Sequence, residues 1–563
     1  MDGFFRQGPS GAMVLAAALT LAAAAHATTV TIVNMDGAGE GFNDPAPAAA
    51  VGGNPGTTVG QQRLNVFAHA GQIWADILPS NVEIRVEAAF DALSCTTVQA
   101  VLGQASAINS TLNFPGAPRP NTWYPIALAN KLANTDLIPE TNDIQAQFNS
   151  NLNGSAGCLG GVGWYYGYDG NEGTNLDLLP VVLHELGHGL GFATVTNLST
   201  GQFQNGFADI YAVNIRDRTL NLPWTAMSPA QRIASATSGN VVWDGRYVTL
   251  ALPLILGPRT VVVVNAPPAI AGTYVAGAAS FGAAVTTAGV TGNVVLVDDG
   301  TAPATDGCTV LVNAAQVAGK VAFIDRGNCN FNVKAQFAQA AGAIAVLIAN
   351  NAAGSLSPGG TDPTITIPVV GITQADGNTV RNQLAAGVNV TIKLDPNQNA
   401  GADPQGRVFL YAPNSLAGGS SMSHFDSAAF PNLLMEPAIN RDLQAGNVDL
   451  TRYAFIDMGW LTGATDAANP PLATRIESNV PNPFNPSTVI RFDLAADGPA
   501  RLAVYDLSGR LVQRLSQGSM TAGPHALRWD GRDAHGRTVA AGVYIARLEA
   551  GGRAVSHRMV LVK

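Results

Sequence analysis

The sequence predicts a multidomain α+β protein, and three observations carry that expectation. The chain has 563 residues, more than one hydrophobic core accommodates. Helix-like and strand-like patterns alternate from about Thr28 to Asn240, after which the pattern changes near Pro258 and again near Arg475. Hydrophobic residues make up 47% and charged residues 12%, with 61 Gly and 33 Pro, a composition of strand-and-turn-rich globular units rather than of disorder. The formal net charge of −9 and a pI near 5.3 argue against nucleic acid as a partner.

Residues 1–27 read as a signal peptide. Arg6 supplies a small positive region, an apolar run follows from Met13 to Ala25, and Ala25-His26-Ala27 resembles a cleavage site. The run is shorter than the roughly 20 residues of a membrane span. No transmembrane segment is expected after cleavage, and the localisation expected is extracellular, secreted or at the cell surface. Thr29–Val33 has the β-branched character of a first strand. A helix is expected over Gln61–Leu78, with Leu64, Phe67, Trp74 and Leu78 on its apolar face and His69 turned to solvent. Strands are expected over Val82–Val86 and near Ile144–Phe148. The Gly-rich stretch 157–173 holds Trp164, Tyr165, Tyr166 and Tyr168, which could line a cleft or simply pack.

Residues 181–192 then read Val-Val-Leu-His-Glu-Leu-Gly-His-Gly-Leu-Gly-Phe. Leu183, Leu186 and Leu190 form a core-facing helical stripe. His184 and His188, four residues apart, lie on one face about a turn from each other. Two imidazoles so placed can bind one zinc ion, and Glu185 between them can act as general base on a water at the metal. Pro180 suits the first turn and Gly191 the end of this helix.

Catalytic zinc usually has three protein ligands. The chain has eight histidines. His26 lies in the leader, His525, His535 and His557 in the C-terminal unit, and His69 on a surface helix. His424, in Ser423-His424-Phe425-Asp426, remains as the third ligand. A carboxylate is the rival, with Asp426 the nearest, although Asp426 reads more readily as a supporting or structural residue.

These segments resemble the leishmanolysin-like metalloproteases, a branch of the metzincins. The resemblance covers His184 to Phe192, Ser423 to Asp426, Leu434-Met435, and Asp457-Met458-Gly459-Trp460. It implies a metzincin-like zinc protease domain with His184, His188 and His424 as ligands and Met435, eleven residues after His424, as the Met-turn methionine under the metal. Read without the resemblance, Met435 is a core methionine. The usual metzincin has its third histidine where this chain has Thr194, so His424 is reached only after a long insertion.

That insertion, about 258–395, contains the strand-and-turn Gly319–Gly327, an amphipathic helix through Val333, Phe337 and Ala340, and buried strands near Ala343–Ile348 and Ile367–Ile372. It resembles a protease-associated (PA) domain, β-rich and without catalytic residues of its own. The catalytic unit is thus expected as 28–257 and 396–465. After a linker at 463–473, residues 475–563 alternate as strands, for example Ala500–Tyr505 and Gly542–Leu548. This all-β part resembles the immunoglobulin-like module of flagellar-hook capping proteins and the sorting domains of type IX secretion substrates. Secretion machinery or the cell surface is the partner implied. Four cysteines fit an exported protein with two disulfides. Of three possible pairings, sequence order and domain logic favour Cys95–Cys158 and Cys308–Cys329. Metal ligation by these cysteines lacks a C-x-x-C spacing.

The function expected is a secreted zinc endopeptidase acting on peptides or proteins. The alternative is a non-catalytic surface adhesin on a protease-like fold, which the two β-rich units would suit. An intact Glu185 between two histidines weighs against the alternative.

Overall fold

The computed structural model describes residues 28–352, 354–440, 443, 446–461, 474–480, 482–520 and 523–562. The leader at 1–27 and the linker at 463–473 lie outside the described residues. The first sheet has the order Val30–Asn34, Ile84–Asp91, Ile144–Asn149, Gly103–Ala107. Its first three strands are parallel, and Gly103–Ala107 closes it as an antiparallel edge, with Gly103 opposite Phe148 and Ala107 opposite Ile144. Ile84, Val86, Ala88 and Phe90 alternate into the core, as a half-buried strand requires.

The N-terminal helix spans Val59–Ile77, with the Thr58 side chain accepting the Gln61 amide as its cap. It turns Val66, Phe67, Ala70 and Trp74 inward, while Leu64 is 38% exposed and does not belong to the apolar face. The rotation follows from aromatic packing. Phe67 meets Phe42, Phe90 and Phe148 edge-on or tilted at ring separations of 4.7–5.9 Å. His69 is half-buried rather than solvated and stacks on Tyr168 at 4.4 Å.

One core is built from two distant stretches of chain. Trp74, Phe148, Leu186 and Phe192 from the first stretch share it with Val408, Phe425, Met435, Phe455 and Trp460 from the second. The insertion between them has two cores of its own, one on each side of an eight-stranded sheet. Strands Pro258–Ala266 and Asn389–Asn399 pair antiparallel, with Pro258 opposite Asn399, and the Ala400 amide donates to the Gly257 carbonyl at 2.9 Å. The insertion therefore leaves and re-enters the flanking unit at one point. Replacing residues 258–399 with a short Gly/Ser link is expected to leave that unit folded, its melting temperature within about 5 °C. Loss of cooperative unfolding in a calorimetric scan would show that the insertion is part of the core.

The C-terminal part forms two facing sheets. One holds Arg475–Val480, Thr488–Leu494 and Gly523–Trp529, and the other Leu511–Met520, Gly498–Asp506, Gly542–Ala550 and Arg553–Leu561. Phe492, Leu502, Val504, Trp529, Leu548 and Met559 fill the space between them. This module does not stand apart, as its own strands and linker alone suggest. Strand Gly523–Trp529 runs beside the helix Arg246–Ile255. The buried Asp493 carboxylate lies 3.4 Å from Arg452 of the helix Asp449–Met458 and 3.0 Å from Arg475. Because truncation before Arg475 takes the Asp493 carboxylate from Arg452 and uncovers the helix Arg246–Ile255, it is expected to lower the melting temperature of the remaining unit by several degrees. An unchanged transition would mean the contact contributes nothing.

Cys95 is bonded to Cys158 and Cys308 to Cys329. Among the described residues, no helix is long and apolar enough to cross a membrane.

Candidate metal centre

The histidine helix spans Leu178–Gly189, and the Asp177 carboxylate caps it by accepting the Leu179 amide. Pro180 falls in the first turn, where its missing N–H costs nothing. Leu183, Leu186 and Leu190 are buried as the stripe requires. Gly191, with φ +118°, ends the helix in a conformation that favours glycine. Gly187 faces the Met435 sulfur so closely that a Cβ there would lie 2.9 Å from it.

Three imidazoles meet at one point. The Nε2 atoms of His184, His188 and His424 are 3.1–3.2 Å from one another. Each ring is held from behind by a backbone carbonyl, which can only accept, so each Nδ1 carries the proton. His184 Nδ1 donates to Leu434 O at 2.7 Å, His188 Nδ1 to Phe192 O at 2.8 Å, and His424 Nδ1 to Ser420 O at 2.8 Å. Each Nε2 then presents a bare lone pair toward the other two. Burial and the neighbouring rings drive His184 far below its usual range, burial takes His188 down to about 4, and burial with His188 takes His424 down to about 3. Protons therefore do not relieve the mutual repulsion, whereas a soft divalent cation does. A triangle of this size admits an ion about 2.0–2.1 Å from each nitrogen, with angles of roughly 100°, close to tetrahedral.

Among the described residues this is the one cluster of three or more His, Cys, Asp or Glu side chains with metal-ligating spacing. Asp426 is not in it; its carboxylate accepts the amide of Ala428 in its own turn at 2.9 Å. The fully buried Met435 lies against Gly187. The carbonyl of Leu434, one residue earlier, holds His184. Thr194 sits beside the third histidine without replacing it. Its hydroxyl donates to the Asp209 carboxylate at 2.7 Å, and its amide points to Ser423 Oγ at 3.4 Å.

Glu185 is 7% exposed, and burial pushes its carboxyl up to about 8, with the Ala105 amide donating to it in opposition. A cation at the histidine triangle would draw that value down again. Ala105 and Gly103 belong to the edge strand, across which the histidine helix packs. At Gly103 a Cβ would lie 2.9 Å from Glu185 Cγ, so glycine is what lets the strand approach. The sequence offered little to find this strand, since Gly-Gln-Ala-Ser-Ala lacks the β-branched and aromatic residues that mark strands. Three of the aromatics in the Gly-rich stretch are engaged elsewhere. Trp164 Nε1 donates to Asn149 O, the Tyr166 hydroxyl accepts from Arg63, and Tyr168 stacks on His69.

The segment Asp457–Trp460 also contacts the end of the histidine helix and the residues beside it. Trp460 Nε1 donates to Leu190 O at 3.2 Å, just past the histidine helix. Asp457 accepts from Trp243 Nε1 and from the amides of Tyr247 and Val248 at 2.8–3.2 Å, and its burial pushes it up to about 6.

Comparison with known proteins identifies two units. Residues 290–380 match the PA domain family and residues 481–553 the FlgD Ig-like domain family. The probable leucine aminopeptidase 2 of Aspergillus fumigatus is 27% identical over 220 residues, 36% of this chain and 42% of that protein. Signal peptide peptidase-like 2 of Arabidopsis thaliana is 37% identical over 110 residues, 19% of this chain and 20% of that protein. Aminopeptidase YwaD of Bacillus subtilis is 32% identical over 121 residues, 21% of this chain and 25% of that protein. The chain thus spans less than half the length of these relatives. Among solved structures, a zinc aminopeptidase from Bacillus subtilis is similar at 27% identity, with 26% of this chain and 36% of that chain covered and a TM-score of 0.19. FlgD from P. aeruginosa is similar at 24% identity, with 13% and 59% covered and a TM-score of 0.12. Matches of this extent concern single units of the chain, not the whole.

Proposed function

We propose that this chain is a zinc-dependent endopeptidase with a leishmanolysin-like catalytic unit formed by residues 28–257 and 396–465. The observation that carries the reading is the triangle of three Nε2 lone pairs with every Nδ1 tied to a carbonyl. Three neutral imidazole nitrogens are a donor set that suits zinc. Zinc held by His184, His188 and His424 would supply a Lewis acid and bring the pKa of water down to about 7. Glu185 is the general base: its carboxylate takes a proton from the attacking water and returns it to the leaving amine. The carbonyls of Leu434, Phe192 and Ser420 keep the rings from turning, so the site is ordered before substrate arrives. The open edge of Gly103–Ala107 beside Glu185 offers main-chain groups to an extended peptide.

The aminopeptidases among the relatives motivate a second reading, removal of single N-terminal residues. A free amine needs a carboxylate to receive it; among the described residues the cluster holds three histidines and no carboxylate, and Glu185, next to His184 in the chain, is already used by the mechanism. We favour cleavage within the chain for that reason. We also propose that residues 1–27 direct export and that 475–563 serves sorting or attachment at the cell surface. The deciding experiment measures zinc in the purified protein and compares cleavage of a peptide with its N-acetylated form. About one zinc per chain, loss of activity with a chelator, and cleavage of both peptides are expected. Activity on the free peptide alone would replace the endopeptidase reading with the aminopeptidase one. Absence of both zinc and cleavage would leave the adhesin.

A further inference from the structure

Outside the metal centre, one buried cation lies against a sulfur. Lys334, on the helix Phe331–Ala340 of the insertion, is fully buried. Its Nζ lies 3.3 Å from Cys308 Sγ and 2.6 Å from the carbonyl of Asp306. Burial lowers this lysine, and the carboxylates of Asp306, Asp299 and Asp325 hold it up. The two sulfurs of the Cys308–Cys329 bond are therefore unlike. Cys308 has an ammonium group beside it, and the carbonyls of Asp306 and Gly327 stand further off at 3.8 and 3.7 Å. Cys329 instead lines an open cavity of 760 Å³, together with Arg326, Asn328, Asn330 and Asn351.

We propose that Cys308–Cys329 is a reactive disulfide that exchanges with thiols, with Cys329 the sulfur attacked and Cys308 the sulfur that leaves. An incoming thiolate bonds to Cys329 Sγ from the cavity. The Sγ–Sγ bond breaks, and its electron pair goes to Cys308 as a thiolate paired with the Lys334 ammonium. A second thiol, from a dithiol reagent or another monothiol, then releases Cys329 as a thiolate. The protein gains two electrons, and two thiols become one disulfide. The physical basis is that a leaving thiol of lower pKa departs faster, and an adjacent ammonium lowers it. Among the described residues Cys95–Cys158 has no such partner: Cys158 is 2% exposed, and the Cys95 sulfur contacts its neighbour's carbonyl. The consequence is local. Reduction removes the covalent tie between Cys308 and the loop that starts the helix, while Lys334 and Asn328 still hold Asp306 through hydrogen bonds.

The test uses the full chain, titrated with dithiothreitol and quenched by alkylation, each cysteine being quantified by peptide mass mapping. Cys308–Cys329 is expected to reduce before Cys95–Cys158. Lys334→Met is expected to slow its reduction about tenfold, and Lys334→Arg to restore most of the rate. A loosened fold would do the opposite and speed reduction in Lys334→Met, so structural damage cannot imitate the result. Brief exposure to glutathione should place the adduct on Cys329. A rate in Lys334→Met equal to or above wild type, earlier reduction of Cys95–Cys158, or an adduct on Cys308 would each overturn the proposal. None of these readouts depends on the metal.

Discussion

Glu185→Gln is expected to abolish peptide hydrolysis while leaving zinc in place. Glutamine matches glutamate in shape, and its carbonyl oxygen can still accept the Ala105 amide that reaches this side chain. Gly103 packs close to Glu185 Cγ, which limits where the new amide can go. What is lost is proton acceptance, a contribution of about 10²–10⁴ in rate. The check is kcat on a peptide substrate alongside metal content for both proteins. Near wild-type turnover in E185Q would remove Glu185 from the mechanism, and loss of the metal would assign it a structural role instead.

His424→Ala is expected to weaken zinc binding by more than about 100-fold, since even losing a hydrogen bond behind a ligand costs roughly 10–100-fold. His424 is 236 residues from His188 in the chain, and their Nε2 atoms are 3.2 Å apart. The variant thus asks whether two remote segments share one ion. Its fold should survive, because Phe425 and Met435 stay buried in the common core and the lost imidazole removes a single hydrogen bond to the protein backbone, that to the Ser420 carbonyl. A zinc titration with a competing chelator reads the affinity, and near-UV circular dichroism checks the core. His69→Ala is the control, with unchanged zinc. Wild-type affinity in H424A would return the third position to a carboxylate.

The side chains gathered at the candidate site were legible in the sequence, because spacing on a helix fixes which of them share a face. His184, Glu185 and His188 followed from that alone. His424 followed from a count of histidines and from the resemblance of its neighbours. The groups that orient these rings were not legible. They are the main-chain carbonyls of Leu434, Phe192 and Ser420, and no residue type announces a carbonyl. The edge strand was missed because its small residues are chosen for close approach to Glu185 and not for strand propensity. Leu64 was misplaced because the rings around Phe67, and not the hydrophobic pattern of the helix, decide which face turns inward. The contact between Asp493 and Arg452 joins two units that periodicity treats separately.

The shared core also sets an order of events during synthesis. Leu186 and Phe192 emerge early, but Phe425, Met435 and Trp460, which cover them, lie beyond the entire insertion. The insertion owns its cores and can fold while the histidine helix still lacks half of its packing partners. A nascent chain that has not passed His424 has two of the three imidazoles and neither the Leu434 carbonyl nor the Met435 side chain beneath them. On the proposed function, the metal site is therefore incomplete until roughly three quarters of the chain is made. Chains arrested just before Ser420 should hold a folded insertion, resistant to added protease, and retain no zinc on a desalting column. Zinc retained by such chains would place the arming step earlier.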